Sequence, residues 1–310
     1  MTGEWRGSSL LTIVTSITGK TRVADRVPPH LFFVGSAIFH YLGPAFAVLL
    51  FVRVPVAGVA WLRIVSAAVV FAIWRRPWRT FLAAERNTQW TMGALGVVFA
   101  FMNYSFYIAI DRLPLGTVAA IEFVGPIVLA LAGSRTRRNL AALALAVVGV
   151  YLLTDVRIEG DPEAFGWAFA NAALFTLYIV LAHRIARADP TTSPIDRLGA
   201  AMMIAAIAIT PLGFLDAAPA LIDPTALLAG IGVGISSSVI PYVFDQLAMT
   251  RLARATYALF VALLPATAVT IGIIVLAQIP KPIEVAAVGL IIAGVLTHKN
   301  PPRKCAGETT

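Results

Sequence analysis

Charged residues are scarce in this 310-residue chain, since Asp, Glu, Lys and Arg together make up 13% of it against 59% hydrophobic residues. That is too little polar surface to cover a soluble globule of this length. The sequence therefore predicts a membrane protein. The net charge of +8 does not indicate nucleic-acid binding, because the chain has no basic helix and no basic segment interleaved with aromatic residues.

Cysteine is almost absent, and the motifs of several enzyme classes are missing. The single cysteine, Cys305, lies in the polar C-terminal tail, which excludes an internal disulfide framework and a cysteine metal cluster. The chain has no His-Glu-x-x-His motif, no nucleotide-binding P-loop and no Ser–His or Cys–His set. We expect no cofactor and no metal, and a secondary carrier is favoured over a nucleotide-driven pump. A membrane-embedded enzyme is the alternative class.

Long apolar segments are abundant, and a helix of about 20 such residues crosses a bilayer. Ten candidate spans are present, at residues 31–51, 55–74, 90–110, 115–133, 139–154, 165–185, 195–215, 225–247, 256–277 and 283–297. Short polar or proline-containing turns join them. The expected fold is an all-α membrane protein with ten transmembrane helices.

Lysine and arginine are concentrated on one side of this expected bundle. If the N-terminus is cytoplasmic, the outer loops hold only Arg53, Arg112, Arg157 and Lys281. Because basic residues favour the cytoplasmic side, both termini are expected inside, at the inner membrane. The expected cytoplasmic tails are residues 1–30 and 298–310, and the acidic outer linker is residues 155–164.

One segment of the chain occurs twice. Residues 109–126 match residues 248–265 after a shift of 139 positions. If each copy contributes five spans, an odd number, the second copy enters the membrane in the opposite sense. The sequence therefore predicts two inverted five-helix repeats, residues 31–154 and 165–297.

Three ionisable side chains fall within the predicted spans, where a charge costs roughly 2.5–3.5 kcal/mol and is kept away from lipid. They are Arg63, Glu122 and Asp245. Arg63 and Glu122 are expected at matching depth. Either they form a structural ion pair, or Glu122 faces a cavity and binds a substrate ammonium or a proton. A tight pair would oppose protonation of Glu122, so proton coupling depends on their separation.

Asp245 lies near the inner end of the eighth predicted span, close in sequence to Arg251. A charge costs less there than at the bilayer centre. The two residues are therefore either a hydrated interfacial salt bridge or a cytoplasmic gate.

Prolines interrupt several predicted spans. Pro126 and Pro265 occupy equivalent positions in the fourth and ninth spans, and Pro241 interrupts the eighth. Each removes a backbone donor and frees a carbonyl. Paired interruptions in two halves indicate a transporter site, with simple kinks as the alternative. Asn103 and Asn171 either bind polar substrate groups or form interhelical hydrogen bonds.

The same region carries family motifs. The stretch Leu113-Pro-Leu-Gly-Thr-Val-Ala-Ala-Ile-Glu-Phe-Val-Gly-Pro126 is followed in the second half by Pro241-Tyr242, Asp245 and Ala248-Met-Thr-Arg-Leu252. Over roughly residues 31–297 the chain resembles the EamA-type transporters of the drug/metabolite transporter superfamily, in particular the threonine/homoserine exporter branch. Three positions depart from that branch. Asp245 and Leu264 stand where the branch usually has Glu, and Gln278 stands where it often has an acidic residue.

The resemblance implies alternating access and the export of threonine/homoserine-like amino acids or related small metabolites, with other drug-like substrates as the alternative. It implies a cavity lined by spans 1, 3, 4, 6, 8 and 9, with spans 5 and 10 at the periphery. Within that cavity, the residues expected to bind substrate or couple transport are Glu122, Asn103, Asn171 and Tyr242, with Arg63 as a structural partner or a partner of the substrate carboxylate.

Overall fold

The computed structural model describes residues 28–125, 136–155, 161–188, 193–249 and 264–297. Within these ranges all regular structure is helical and there is no β-strand. The predicted tails, half of the predicted linker and parts of the fourth and ninth predicted spans lie outside the described residues.

Twelve α-helices and one π-helical segment occupy the described ranges. They are α1 (Pro29–Leu50), α2 (Val56–Arg75), α3 (Pro77–Ala83), α4 (Arg86–Arg112), α5 (Leu115–Glu122), α6 (Arg137–Asp155), α7 (Pro162–Ala188), α8 (Pro194–Ile222), α9 (Pro224–Gly234), the π segment Ile235–Val239, α10 (Ile240–Met249), α11 (Leu264–Leu276) and α12 (Pro282–Thr297).

The helices lie where the apolar segments predict them. Six are long and apolar enough to cross a bilayer, counting α9, the π segment and the first part of α10 as one continuous helix; α11 and most of α12 form two shorter apolar helices. Large apolar side chains such as Ile73, Leu215 and Ile222 are exposed along the bundle, as expected where lipid replaces water. The molecule is therefore an all-helical, multi-pass membrane protein.

Helix α3 is an element that the sequence analysis did not predict. Arg76 adopts a left-handed conformation, with φ of 49°, which ends α2, and Pro77 then begins the new helix. Trp78 and Leu82 of α3 are exposed. Because α3 is short and lies beside several arginines, it resembles the amphipathic elements that anchor proteins at the membrane surface.

The helices pack in a pattern that links the first part of the chain with the second. The extensive contacts include α4 with α7, α1 with α10, α2 with α8, α6 with α12, and α5 with α11. Further contacts join α4 with α8, α2 with α9, α5 with α7, and α1 with α11. Helices that are distant in sequence therefore form most of the interior.

Helices α6 and α12 approach each other through reciprocal glycines. A Cβ atom at Gly149 would lie 2.7 Å from the Ala287 carbonyl oxygen, and one at Gly294 would lie 2.7 Å from the Ala142 carbonyl oxygen. Both separations are shorter than real Cβ contacts. Glycine at these positions allows the close backbone approach that replaces hydrophobic driving force in a membrane.

We expect Gly149→Val to destabilise the fold by roughly 1–3 kcal/mol, because the new side chain would push α6 away from α12. Gly289→Val on α12 is the matched control, since a Cβ there meets no atom within 4 Å. Thermal melting of the purified variants in one detergent measures the difference. Equal melting temperatures for the two variants would contradict this packing.

Candidate functional site

A polar cavity of about 30 Å³ lies at the centre of the bundle. Among the described residues, its lining comes from α1, α2, α4, α5, α7 and α10 and includes His40, Tyr41, Pro44, Arg63, Met102, Asn103, Phe106, Glu122, Asn171, Phe175 and Tyr242. All five residues that the sequence analysis assigned to substrate binding or coupling are among them. Helices α6 and α12, which are the predicted spans 5 and 10, contribute none of these residues. Helix α2 contributes Arg63, although the family resemblance did not place the second span at the cavity.

Arg63 is buried, with 5% of its surface exposed, and its guanidinium is held by neutral groups. Its Nε donates to Ser238 Oγ at 3.1 Å, and its Nη2 donates to the carbonyl oxygen of Ser237 at 3.2 Å. The guanidinium carbon also lies 5.3 Å from the ring centroid of Tyr107, a cation–π arrangement. The charge of Arg63 is thus stabilised without a carboxylate.

Proline chemistry explains why the Ser237 carbonyl is available to Arg63. In a regular helix that carbonyl would accept from the N–H of residue 241, but Pro241 has no N–H. The chain adopts a π-helical turn over Ile235–Val239 immediately before this proline. The predicted interruption by Pro241 therefore takes the form of a π segment that exposes a backbone acceptor.

Glu122 ends α5 and is 8% exposed. It shares the cavity with Arg63, but no nitrogen–oxygen distance between the two falls within 4.0 Å. The structural ion pair that the sequence left as one alternative is therefore not formed in this conformation. Two opposite charges instead face one enclosed space from separate helices.

Two amides lie in the same cavity. Asn171 is 1% exposed, and neither its side-chain nitrogen nor its oxygen has a hydrogen-bond partner. Buried polar groups are rarely left without partners, and exceptions are frequently functional. Asn103 donates from its side-chain nitrogen to the Phe99 carbonyl at 2.8 Å on its own helix. Asn171 nevertheless lies close enough to Glu122 for its side chain to act on that carboxyl, so the two groups form one polar patch of the cavity.

Several residues that the sequence singled out are not described in full. Pro126 and Arg251 lie outside the described residues, and the side chain of Asp245 on α10 is not described. Pro265 is the second residue of α11 as described, directly after the undescribed residues 250–263.

Other residues of the cavity carry no motif that marks them in the sequence, among them His40, Tyr41 and Pro44. Ser237 and Ser238 directly precede the interruption at Pro241, and their polar groups are the acceptors that a buried arginine requires. The aromatic ring of Tyr242 lies 6.0 Å from that of Phe99.

Gln278 has a positioning role that sequence alone did not show. Its side-chain oxygen accepts from the backbone N–H of Leu115 at 3.1 Å, at the start of α5. It thereby satisfies one of the unpaired donors at a helix N-terminus. The loop before α12 is thus tied to the helix that carries Glu122.

A larger cavity of about 290 Å³ lies next to this contact, at the end of the bundle where α4 and α11 finish. Its polar lining includes Arg112, Thr117, Gln278 and Glu284. Thr117 and Glu122 both lie on α5, roughly 7–8 Å apart along the helix axis. The two cavities are therefore close to each other along α5, and Gly116 packs against Val269 beside the larger one.

Ion pairs join helices at the two ends of the bundle. Arg112 Nη1 lies 3.1 Å from Asp161 Oδ2 and 2.9 Å from Glu163 Oε2, which links α4 to the start of α7. At the opposite end, Arg75 Nε lies 2.6 Å from Asp196 Oδ1 and links α2 to α8. These pairs are partly exposed and contribute little stability individually, but each one restricts separation of its helices.

The pKa of Asp161 is lowered, chiefly by the backbone N–H of Ala164 and also by Arg112. A carboxylate with a lowered pKa in the folded protein stabilises the fold above its unfolded pKa and loses that contribution as the pH falls through the lowered value. The Arg112 cluster therefore stays charged near neutral pH.

An all-helical membrane bundle with an enclosed, charged and polar cavity defines a membrane transporter. Comparison with known proteins identifies the group. The profile of the EamA-like transporter family matches residues 164–297. The threonine/homoserine exporter RhtA of Escherichia coli K12 is 32% identical over 84% of this chain and 88% of its own length. RhtA of Salmonella typhimurium LT2 is 31% identical over 84% and 89%.

The chain belongs to the EamA-like transporter family. It is a transporter and not an enzyme, as its relatives are exporters. A crystal structure of a protein with 19% sequence identity superposes with a TM-score of 0.55, covering 87% of this chain and 95% of the other, and shows a shared fold.

We expect Ser238→Ala to lower the free energy of unfolding by about 1–3 kcal/mol, because it leaves the buried Arg63 Nε without its acceptor. Ser236→Ala is the control, since that hydroxyl donates only to the Val233 carbonyl one turn earlier. Melting temperatures in detergent distinguish the two. A Ser238→Ala protein that melts together with Ser236→Ala would show that Arg63 does not depend on this contact.

Proposed function

We propose that this protein exports threonine, homoserine or similar small amino acids across the inner membrane as a secondary transporter. The relatives that are 31–32% identical over most of the chain are named for that activity. The observation that carries the proposal is the placement of Arg63 and Glu122 in one enclosed cavity without a direct ion pair. A zwitterionic amino acid offers one charge to each.

Each polar group of the cavity has a role in this proposal. Arg63 binds the substrate carboxylate with the donors that Ser237 and Ser238 leave available. Glu122 binds the ammonium group, and Asn171, which lies beside that carboxyl, orients it and offers a further polar contact to the substrate. Asn103 and Tyr242 complete the wall next to the substrate side chain.

The described conformation is too closed to hold an amino acid. A cavity of about 30 Å³ has room for roughly two water molecules. Threonine is several times larger, so the helices must separate before it binds. The conformation therefore represents a closed state between states open to either side.

The helix packing supports two inverted five-helix repeats with boundaries at 31–154 and 165–297. The helices form ten spans when the short α3 is left out and α9, the π segment and α10 are counted as one span. If each span is then exchanged for the span five places away, the contact α4–α7 becomes α1–α10, α4–α8 becomes α2–α9, and α5–α7 becomes α1–α11. The remaining major pairs, α2–α8, α5–α11 and α6–α12, convert into themselves. Such exchange is expected of a bundle with an approximate two-fold axis in the membrane plane.

The cavity lies close to that proposed axis. The shift of 139 positions that aligns the repeated segments also places Asn103 on Tyr242, and both residues line the cavity. Sites at the interface of inverted repeats are common in secondary transporters, because a rocking motion then exposes the site to each side in turn. The site is nevertheless asymmetric, since Arg63 aligns with Met202 and Glu122 with Val261.

The ion pairs at the two ends are the contacts that must open in turn. Opening at the outer end separates Arg112 from Asp161 and Glu163, and opening at the inner end separates Arg75 from Asp196. The 290 Å³ cavity beside Thr117 then serves as the outer vestibule. Asp245 and Arg251 remain candidates for a further cytoplasmic gate.

The distribution of basic and aromatic residues supports an orientation with both termini in the cytoplasm. Trp74, Trp78 and Trp90 are exposed near Arg75 and Arg79, at the end assigned to the cytoplasm. Tryptophan is enriched at membrane interfaces and arginine at the cytoplasmic one. The end with Arg112 carries the acidic residues Asp161 and Glu163 instead.

We propose proton coupling through Glu122. The carboxyl is buried and has no ion pair within 4.0 Å, so Arg63 opposes its protonation less than it would in a tight ion pair. Export then proceeds when the substrate ammonium leaves Glu122 on the outer side and a proton takes its place. The pH dependence of this exchange cannot come from the Arg112 cluster, whose Asp161 has a lowered pKa.

Glu122→Gln is expected to reduce threonine transport at least about tenfold, since charge-assisted hydrogen bonds contribute about 1.5–3 kcal/mol. Reconstituted liposomes allow two measurements, namely transport driven by a pH gradient and threonine counterflow without a gradient. If Glu122→Gln loses both gradient-driven transport and counterflow, Glu122 binds the substrate ammonium. If it loses gradient-driven transport but keeps counterflow, Glu122 carries only the proton.

The matched control is Glu284→Gln, which removes a buried acid of the proposed outer vestibule and so separates charge loss in the central cavity from charge loss elsewhere on the substrate path. A glutamine oxygen still accepts from the backbone N–H of Lys281, as Glu284 does at 3.0 Å. Wild-type transport with unchanged pH dependence in Glu122→Gln would rule out both roles of Glu122.

Arg63 is tested by the chemistry of the substrate. Wild-type protein is expected to prefer threonine over threoninol, which lacks the carboxylate, and over 2,3-dihydroxybutanoate, which lacks the amine. In Arg63→Gln the preference over threoninol should shrink about tenfold or more while the preference over the hydroxy acid persists. Competition in the counterflow assay measures both ratios, and an unchanged threoninol ratio would exclude Arg63 as the carboxylate partner.

A further inference from the structure

A groove between α1 and α9 opens on the side of the bundle and has a volume of about 450 Å³. Its walls are mainly apolar and include Phe46 and Leu49 of α1 and Ala229 and Val233 of α9. Phe46 is 46% and Leu49 is 54% exposed, so the groove is accessible from outside the bundle. We call it the α1–α9 groove.

The length of the groove matches one half of a bilayer. It extends along α9 from Thr225 to Ser236 of the π segment, a distance of roughly 16 Å at 1.5 Å per residue. Half of a hydrocarbon core of about 30 Å is close to that value. An extended acyl chain therefore fits along its whole length.

A cation lies at the outer mouth of the α1–α9 groove. Arg53 follows the end of α1, lines the groove beside Thr225 and is exposed. Among the described residues it forms no ion pair with an acidic side chain. An arginine that overhangs an apolar channel at the membrane surface has the charge and position to bind a phosphate group.

We propose that the α1–α9 groove binds a diacyl phospholipid of the outer leaflet. One acyl chain lies against Phe46, Leu49, Ala229 and Val233, and the phosphate lies at Arg53. Among the residues that the structure describes, the groove shares no lining residue with the central cavity. The lipid site is therefore distinct from the substrate site, and it stands whether or not the proposed substrate is correct.

The phosphate contact is tested by native mass spectrometry of the full chain with phosphatidylglycerol and with diacylglycerol of the same acyl chains. Wild-type protein is expected to retain the phospholipid and to bind diacylglycerol weakly. Arg53→Gln should lower phosphatidylglycerol binding about five- to tenfold, whereas Arg79→Gln, another exposed arginine without a described ion pair, should not. Equal loss in both variants, or no loss in Arg53→Gln, would overturn the proposal.

The acyl-chain contact is tested by filling the groove. A Cβ at Gly232 meets no atom within 4 Å, so Gly232→Leu enters the groove without disturbing the packing. Gly166→Leu on α7 is the control, because its Cβ also meets open space. Gly232→Leu should lower phospholipid binding at least about fivefold with an unchanged melting temperature. Binding equal to that of Gly166→Leu would place the lipid elsewhere.

Discussion

The need to hold the buried guanidinium of Arg63 constrains much of the surrounding structure. A charge inside a membrane bundle requires polar partners from the protein itself. Here a serine hydroxyl and a backbone carbonyl supply them, and Pro241 leaves that carbonyl without the competing N–H donor of a regular helix. The proline and the position of α9 and the π segment against α2 thus form one arrangement.

Because Ser237 and Ser238 hold the guanidinium, Arg63 forms no ion pair with Glu122. The cavity therefore has a basic group and a separate carboxyl group in its wall. A direct ion pair would neutralise both groups and leave nothing to recognise a zwitterion. With Arg63 satisfied by neutral acceptors, Glu122 and Asn171 face the same small space from α5 and α7. Gln278 adds to this by fixing the start of α5 from the opposite half of the chain.

The sequence predicted the helices well because lipid exposure requires long apolar stretches whose ends are marked by proline, charge and glycine. It also identified Glu122 and Arg63, since charges inside apolar segments are rare. It did not predict the partners of Arg63, because Ser237 and Ser238 are separated from it by more than 170 residues and reach it only through helix packing. Helix α3 was missed because its seven residues are too short for a periodic pattern.

The near absence of space between Arg63 and Glu122 has a consequence for measured affinity. If the closed form predominates, each binding event must first recruit a rarer, opened form, and the observed dissociation constant exceeds the intrinsic one by the reciprocal of that form's population. Weak apparent affinity would then coexist with strict selection among amino acids. A substitution far from the cavity that loosens the bundle would tighten binding without touching the ligand.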